Sequence, residues 1–335
     1  MQTPDALSRL LDLGRADRTA VEWCGHELSY AGLGAAVDDV ARRLTEAGAA
    51  RTNDAAPRPA DPAYVVGLLA ALRSGAVPVP VDAGMTSAQY AWTERISRPS
   101  VLLSSDVSPV AHFRGATGAD VGELVVDAAT GRVVLDTTGP QRPDSAWRYP
   151  GDDAGYLIPT SGSTGAPKAI VGSRTGLNAF LSWFVEEFEL GEDDTCAALT
   201  RVNFDPSLRE LLGVLVAGGR LNLPPVDVQL DLAALGGHLV ESRPTLAFLV
   251  PSLARRVADV LRADSTRLGA LRLAFFAGEV LPARVAQQWR GLAPGAEIVN
   301  LYGMTEGTSP SSSGARRARG RGRDLGLPVG RPRPG

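Results

Sequence analysis

Between Gly34 and Gly48, apolar residues recur at helical spacing: Val37, Val40, Ala41, Leu44 and Ala47 share one face, with acids and arginines between them. The spacing predicts an amphipathic helix closed by a glycine. Ala63 to Ser74 repeats the pattern, Gly75 ends it, and the AVPVPVD that follows suits a short extended segment. Helix then strand is the rhythm of a layered α/β fold. GYLIPT (155–160), LRLAFFAG (271–278) and EIVNLYG (297–303) predict further strands, the first two buried. Leu177 to Phe188 and Ala283 to Arg290 predict further helices. No repeat of 20 to 50 residues is present.

Two stretches interrupt this alternation. Residues 50–62, ARTNDAAPRPADP, are rich in proline, alanine and charge where a strand is due, and predict an irregular loop. Residues 309–323, SPSSSGARRARGRGR, carry almost no apolar side chain and predict disorder, because nothing there offsets the entropy of ordering. Their arginines suit a solvated tail better than a surface for RNA or an acidic partner. The resulting division is a first α/β subdomain over 1–150, a second over 151–308, and an irregular tail over 309–335.

Composition narrows the class. With 335 residues, 44% hydrophobic and 21% charged, the chain can bury a large core or two adjacent ones. A net charge of -3 gives no reason to expect a nucleic-acid or anionic-membrane surface. Cys24 and Cys196 lack metal-ligand spacing and are expected as buried free thiols. The opening residues lack the apolar stretch of a secretory signal, no later segment is apolar for the length of a bilayer span, and a cytoplasmic protein is expected.

The strongest chemical signal is an apolar strand running into a loop of small residues, Tyr156-Leu-Ile-Pro-Thr160-Ser-Gly-Ser-Thr-Gly165-Ala-Pro-Lys168. Gly162 and Gly165 let backbone N–H groups approach an anion, the hydroxyls of Thr160, Ser161, Ser163 and Thr164 add donors, and Lys168 adds charge. A nucleotide polyphosphate is the expected ligand. The loop is not a Walker A motif, since Ala169 follows the lysine where Ser or Thr is required. It is not a nucleophile elbow either: neither serine sits in GxSxG, and none of His26, His112 and His238 lies in a recognisable partner motif.

The run TSGSTGAPKAI resembles the phosphate-binding signature of the superfamily of acyl-CoA synthetases, luciferases and nonribosomal peptide synthetase adenylation domains. In the expected order, LSYAGL (28–33), LRSGAVPVPVD (72–82), NFDPS (203–207) and LYGMTE (301–306) resemble further signatures of the adenylation domains. The resemblance implies the layered α/β core of these enzymes without their β-barrel and C-terminal lid. It also implies their reaction, in which a substrate carboxylate attacks the α-phosphate of ATP and the acyl-adenylate is then passed to a thiol.

Site residues follow by the same resemblance. The loop from Thr160 to Lys168 would hold the β- and γ-phosphates, Glu306 would bind Mg2+, and Thr305 would contact the α-phosphate. Tyr302 and the Ala277-Gly278-Glu279 turn would flank the adenine. Asp205 would pair with a substrate α-ammonium, which points to an amino acid. Pro206, Arg209, Phe248, Phe275, Ala277, Leu301, Ser309 and Pro310 would line the side-chain pocket. For Arg209 three partners stay open: an acidic or polar substrate side chain, the neighbouring Glu210, or solvent.

The resemblance stops at LPVGRPRPG (327–335), before the ribose-binding aspartate and the lid lysine of full-length relatives. Residues 50–62 stand where relatives carry an apolar strand, leaving one sheet position empty or badly filled. That segment and the arginine-rich stretch read as decayed or out-of-frame sequence. LGGHL (235–239) resembles the phosphopantetheine attachment motif with Leu239 in place of the serine, so a carrier protein, like the lid, would come from another chain. The expectation is an amino acid adenylating ligase impaired in isolation, with a catalytically inactive nucleotide-binding remnant as the alternative.

Overall fold

The computed structural model describes residue 10 and residues 17–49, 51–56, 61–82, 84–105, 122–137, 153–160 and 168–303, with 51–56 as backbone alone. The first strands described are the hairpin β1 (Thr19–Trp23) and β2 (His26–Ser29), followed by α1 (Tyr30–Glu46), β3 (Arg51–Ala56), α2 (Pro62–Ser74), β4 (Val77–Asp82), α3 (Ser87–Ser97) and β5 (Val101–Ser104). A second hairpin, β6 (Gly122–Val126) and β7 (Val133–Asp136), precedes a third, β8 (Ala154–Thr160) and β9 (Lys168–Ser173). There follow α4 (Arg174–Glu187), β10 (Thr195–Ala197), α5 (Asp205–Val216), β11 (Arg220–Leu223), α6 (Val226–Leu230) and α7 (Leu232–Glu241). The last described elements are β12 (Leu246–Leu249), α8 (Pro251–Ala263), β13 (Leu273–Phe276), α9 (Ala283–Leu292) and β14 (Glu297–Asn300).

Two larger sheets result. A five-stranded sheet has the order β4-β3-β5-β6-β7, and a seven-stranded sheet the order β14-β13-β12-β10-β11-β1-β2. The seven-stranded sheet is parallel from β14 through β1. Because β1 pairs with β11, the first hairpin belongs to the later sheet, so sheet membership does not follow a division at residue 150.

Helices cover both faces of that sheet, which explains its nearly continuous apolar strands. Side chains alternate between two cores. Phe248, Phe275 and Val299 join a large cluster with α1, α2, α4 and α5, whereas Ala247, Leu249, Phe276 and Ile298 face α7, α8 and α9 around Trp289. Leu239 of the LGGHL run is buried in this second cluster. Among the described residues no helix is long and apolar enough to cross a membrane.

The described residues of the segment 50–62 are not an irregular loop. Residues 51–56 form the strand β3, paired in parallel with β4 on one side and β5 on the other. The sheet position expected to be empty is therefore filled. Its prolines all come after the strand: Pro62 opens α2, and Asp61 caps that helix by accepting from the Tyr64 N–H at 2.8 Å. Reading the whole segment as one unit merged a strand with a helix start. Ladder pairing on both edges outweighs the weak strand preference of RTNDAA.

Cys24 also departs from expectation. It is exposed, in the two-residue turn between β1 and β2, and both turn residues have positive φ, 49° at Cys24 and 77° at Gly25. Cys196 is the buried thiol, and burial pushes its pKa well up.

Candidate active site

The glycine-rich loop is carried by an antiparallel ribbon. Thr160 and Lys168 are the last paired residues of β8 and β9, and the Thr160 hydroxyl donates to the Lys168 carbonyl at 3.4 Å. Ser161, Gly162, Ser163, Thr164 and Gly165 lie between these two, outside the described residues. The strand-loop-strand path differs from a Walker A loop, which opens a helix. Leu157 packs on Val77 and Val79 of β4, which seats the ribbon. Gly172 permits a close crossing: a Cβ there would meet the Tyr156 ring at 2.0 Å, and the two are cross-strand partners.

Helix α4 links this ribbon to the expected substrate residues, for it packs on β8, on β9 and on α5. Asp205 and Arg209 lie one turn apart at the start of α5, both buried, and Arg209 Nη2 donates to Asp205 Oδ2 at 2.7 Å. The aspartate occupies the first turn, where free helical N–H groups favour negative charge, and Pro206 follows it there. The guanidinium also lies over the Phe180 ring, 5.1 Å from its centroid. Of the three partners open to Arg209 in the sequence, neither Glu210 nor solvent takes it.

From Phe180 the contacts run on to two expected pocket residues. Phe180 stacks on Phe184 at 5.5 Å, and Phe184 lies 5.9 Å from Phe248 and 5.2 Å from Phe275. Phe248 and Phe275 occupy paired positions on β12 and β13 and stack at 4.5 Å. Arg209, Phe248, Phe275 and Leu301 thus contribute to one apolar body, with Ala277 packed against it.

The carboxyl ends of the parallel strands lie beside one another. Ala277 N–H donates to the Leu249 carbonyl at 3.3 Å, and Leu301 N–H to the Phe276 carbonyl at 2.8 Å. Gly278 has φ +84°, a conformation that favours glycine. Glu279 turns back onto α8: its carboxylate accepts from the Ser252 N–H at 2.9 Å and the Ser252 hydroxyl at 2.8 Å. That bond supplies a cap which the residue before the helix lacks. Tyr302 is 66% exposed just past β14, a large aromatic face left open at the end of the sheet. Crevices outside the carboxyl ends of parallel strands are where open α/β sheets take ligands.

Glu210 was not singled out in the sequence. It is fully buried, and its two oxygens accept the N–H groups of Leu199 at 2.7 Å and Thr200 at 3.0 Å. Burial pushes its pKa up to about 7 against those two bonds. With Ser207 Oγ donating to the carbonyls of Val202 and Phe204, it fixes both ends of the segment that presents Asp205. A glutamate inside the apolar run LRELLGVLV is the signal by which the sequence could have shown it. On the same segment, Asn203 Oδ1 is buried with no hydrogen-bond partner among the described residues.

Thr305 and Glu306, expected at the α-phosphate and Mg2+, lie outside the described residues, as do Ser309 and Pro310. Among the described residues no group of three or more His, Cys, Asp or Glu is placed to hold a metal ion.

A family model described as AMP-binding enzyme matches residues 13–335. An L-proline--[L-prolyl-carrier protein] ligase of Streptomyces coelicolor is 31% identical over 299 residues, covering 83% of this chain and 55% of that protein. Syringomycin synthase SyrB1 of Pseudomonas syringae pv. syringae is 30% identical over 297 residues, covering 87% and 46% respectively. The crystal structure of IdnL7 superposes with a TM-score of 0.74 at 28% identity, over 91% of this chain and 61% of that one. The chain spans about half the length of the curated relatives it matches. With a shared α/β core and a family match running almost from end to end, this chain belongs to the AMP-binding enzymes, the adenylate-forming family that includes nonribosomal peptide synthetase adenylation domains.

Proposed function

We propose that the chain activates an amino acid by adenylation in nonribosomal peptide or related secondary-metabolite biosynthesis. A carboxylate oxygen of the amino acid attacks the α-phosphorus of ATP, the bond to the bridging oxygen breaks, and pyrophosphate leaves with its electron pair. The observation that carries this reading is Asp205, a carboxylate buried in the first turn of α5, the helix that follows β10 in the chain. Arg209 already donates to one of its oxygens, and a substrate ammonium would join that cation at the carboxylate. Relatives named as ligases of L-proline and of D-alanine to carrier proteins support an amino acid as substrate.

In this scheme the Thr160–Lys168 loop receives the leaving phosphates, Tyr302 offers its ring to the adenine, and the Ala277–Glu279 turn brings backbone beside it. Mg2+ would be held by Glu306 and would neutralise phosphate charge when bound. A separate carrier protein would accept the aminoacyl group, and a lid domain would complete the site. The test is exchange of labelled pyrophosphate into ATP. Exchange that depends on an amino acid is expected; exchange driven equally by the same acid without its amine, or none with any amino acid when a lid domain is supplied, overturns the reading.

A further inference from the structure

Helix α5 starts without a side-chain cap: Phe204, the residue before it, supplies none, and Pro206 in its first turn has no N–H. The place of Asp205, the first residue of the helix, is therefore set by the segment 199–204 that leads into it from β10. Two side chains of α5 hold that segment. Ser207 Oγ donates to the Val202 carbonyl at 3.0 Å and the Phe204 carbonyl at 2.7 Å, while the Glu210 carboxylate accepts from the consecutive N–H groups of Leu199 and Thr200.

The ionised glutamate suits this task and the neutral acid does not. Each oxygen of the ion accepts one N–H, whereas protonation turns one oxygen into a donor that then faces an N–H. Among the described residues no cation is left to share the charge. From β10 comes Cys196, whose thiol is pushed up by burial and by the Glu210 charge, and Asp194 before that strand is paired with Arg272. Arg220 of β11 turns to Glu22 and Thr195, the buried face of α4 is apolar, and Arg209 is taken by Asp205. The ion is thus held by its hydrogen bonds to Leu199 and Thr200, so charge and segment depend on each other.

Resting on the adenylation reading above, we propose that Glu210 is a positioning residue for the amino acid: by bracing Leu199 and Thr200 it holds Asp205 where the substrate amine meets it. Nucleotide binding does not share this dependence. The groups expected at ATP lie on the β8–β9 ribbon, in the turn after β13 and at Tyr302, and none of these accepts from or donates to Glu210.

Burial puts the Glu210 pKa at about 7, so the ion is present above that value and the acid below it. Amino acid affinity then rises with pH through this window. Calorimetric titration of the full chain with the common amino acids, a non-hydrolysable ATP analogue present, selects the one that binds most tightly. Its affinity is expected to be about three- to tenfold weaker at pH 6 than at pH 8. In Glu210→Gln it should be low and the same at both pH values, with the analogue bound as in the unsubstituted protein. The pH comparison stands even if the variant does not fold. Equal affinity at the two pH values, or a variant that binds the amino acid as tightly as its parent or loses the nucleotide in the same proportion, would overturn this inference and leave amino acid activation standing. No heat from any amino acid, while the nucleotide analogue binds, would overturn both.

Discussion

Arg209 Nη2 donates to Asp205 Oδ2 at 2.7 Å, so the carboxylate expected to greet a substrate amine already has a cation one helical turn away. The bond is made within a single helix, in the favourable order of acid before base, and both side chains are buried. On the proposed function, a substrate ammonium would meet an existing ion pair and not a bare carboxylate.

Removing one member of this pair strands the other. Arg209→Met and Asp205→Asn are each expected to lower unfolding stability by about 3 kcal/mol, the scale for breaking a buried ion pair. In urea denaturation, the double variant should lose clearly less than the sum of the singles. Additive losses would mean that the two side chains do not interact.

Glu210 gives stability a pH dependence. Its pKa is about 7 in the fold and near 4.5 as an ordinary carboxyl, so the folded state holds a proton that the unfolded state releases. Its contribution is fully present below about pH 4.5 and is lost as pH rises through 7. Unfolding midpoints should fall between pH 5 and 8 more steeply in the unsubstituted protein than in Glu210→Gln, by a difference on the order of 3 kcal/mol in stability. Parallel curves would show that the carboxyl does not titrate in that window.

Gly172→Ala places a methyl group inside the Tyr156 ring, and overpacking of this kind costs about 1–3 kcal/mol. Tyr156→Leu in the same chain should recover part of the loss in thermal denaturation, because the crossing then has room. An alanine variant as stable as the parent would place the ring elsewhere.

Glu279→Ala removes both acceptors from Ser252 and frees the turn that contains Gly278. A loss of about 1 kcal/mol in stability is expected, together with several-fold weaker nucleotide binding by calorimetry. Unchanged nucleotide affinity would separate this turn from the adenine.

Helices α1, α2, α4 and α9 and strands β4, β8, β13 and β14 were legible from regular apolar spacing or short apolar runs, and the first three of these helices carry local caps at Ser29, Asp61 and Ser173. Strand β3 was not, since RTNDAA has neither alternation nor β-branched character beyond Thr52 and is held by neighbours distant in sequence. For the same reason the pairing of β1 with β11, which carries the first hairpin into the later sheet, left no local trace. In the site, residue identities were readable from motifs, whereas partners were not. Arg209 had three partners open in sequence, a substrate side chain, Glu210 or solvent, and the turn of α5 pairs it instead with Asp205, which was not among them. Glu279 stood out as a neighbour of the nucleotide, and its cap on α8 depends on a serine 27 residues earlier.

The central claim is that Asp205 holds the amine of the activated amino acid. Its most direct test is a crystal structure of this chain with an aminoacyl-sulfamoyl adenosine, a stable mimic of the aminoacyl-adenylate. The account predicts the ligand ammonium about 3 Å from the Asp205 carboxylate, the range of a charge-assisted hydrogen bond, with the adenine beside Tyr302. An amine directed away from Asp205, with the nucleotide bound elsewhere on the chain, would contradict it.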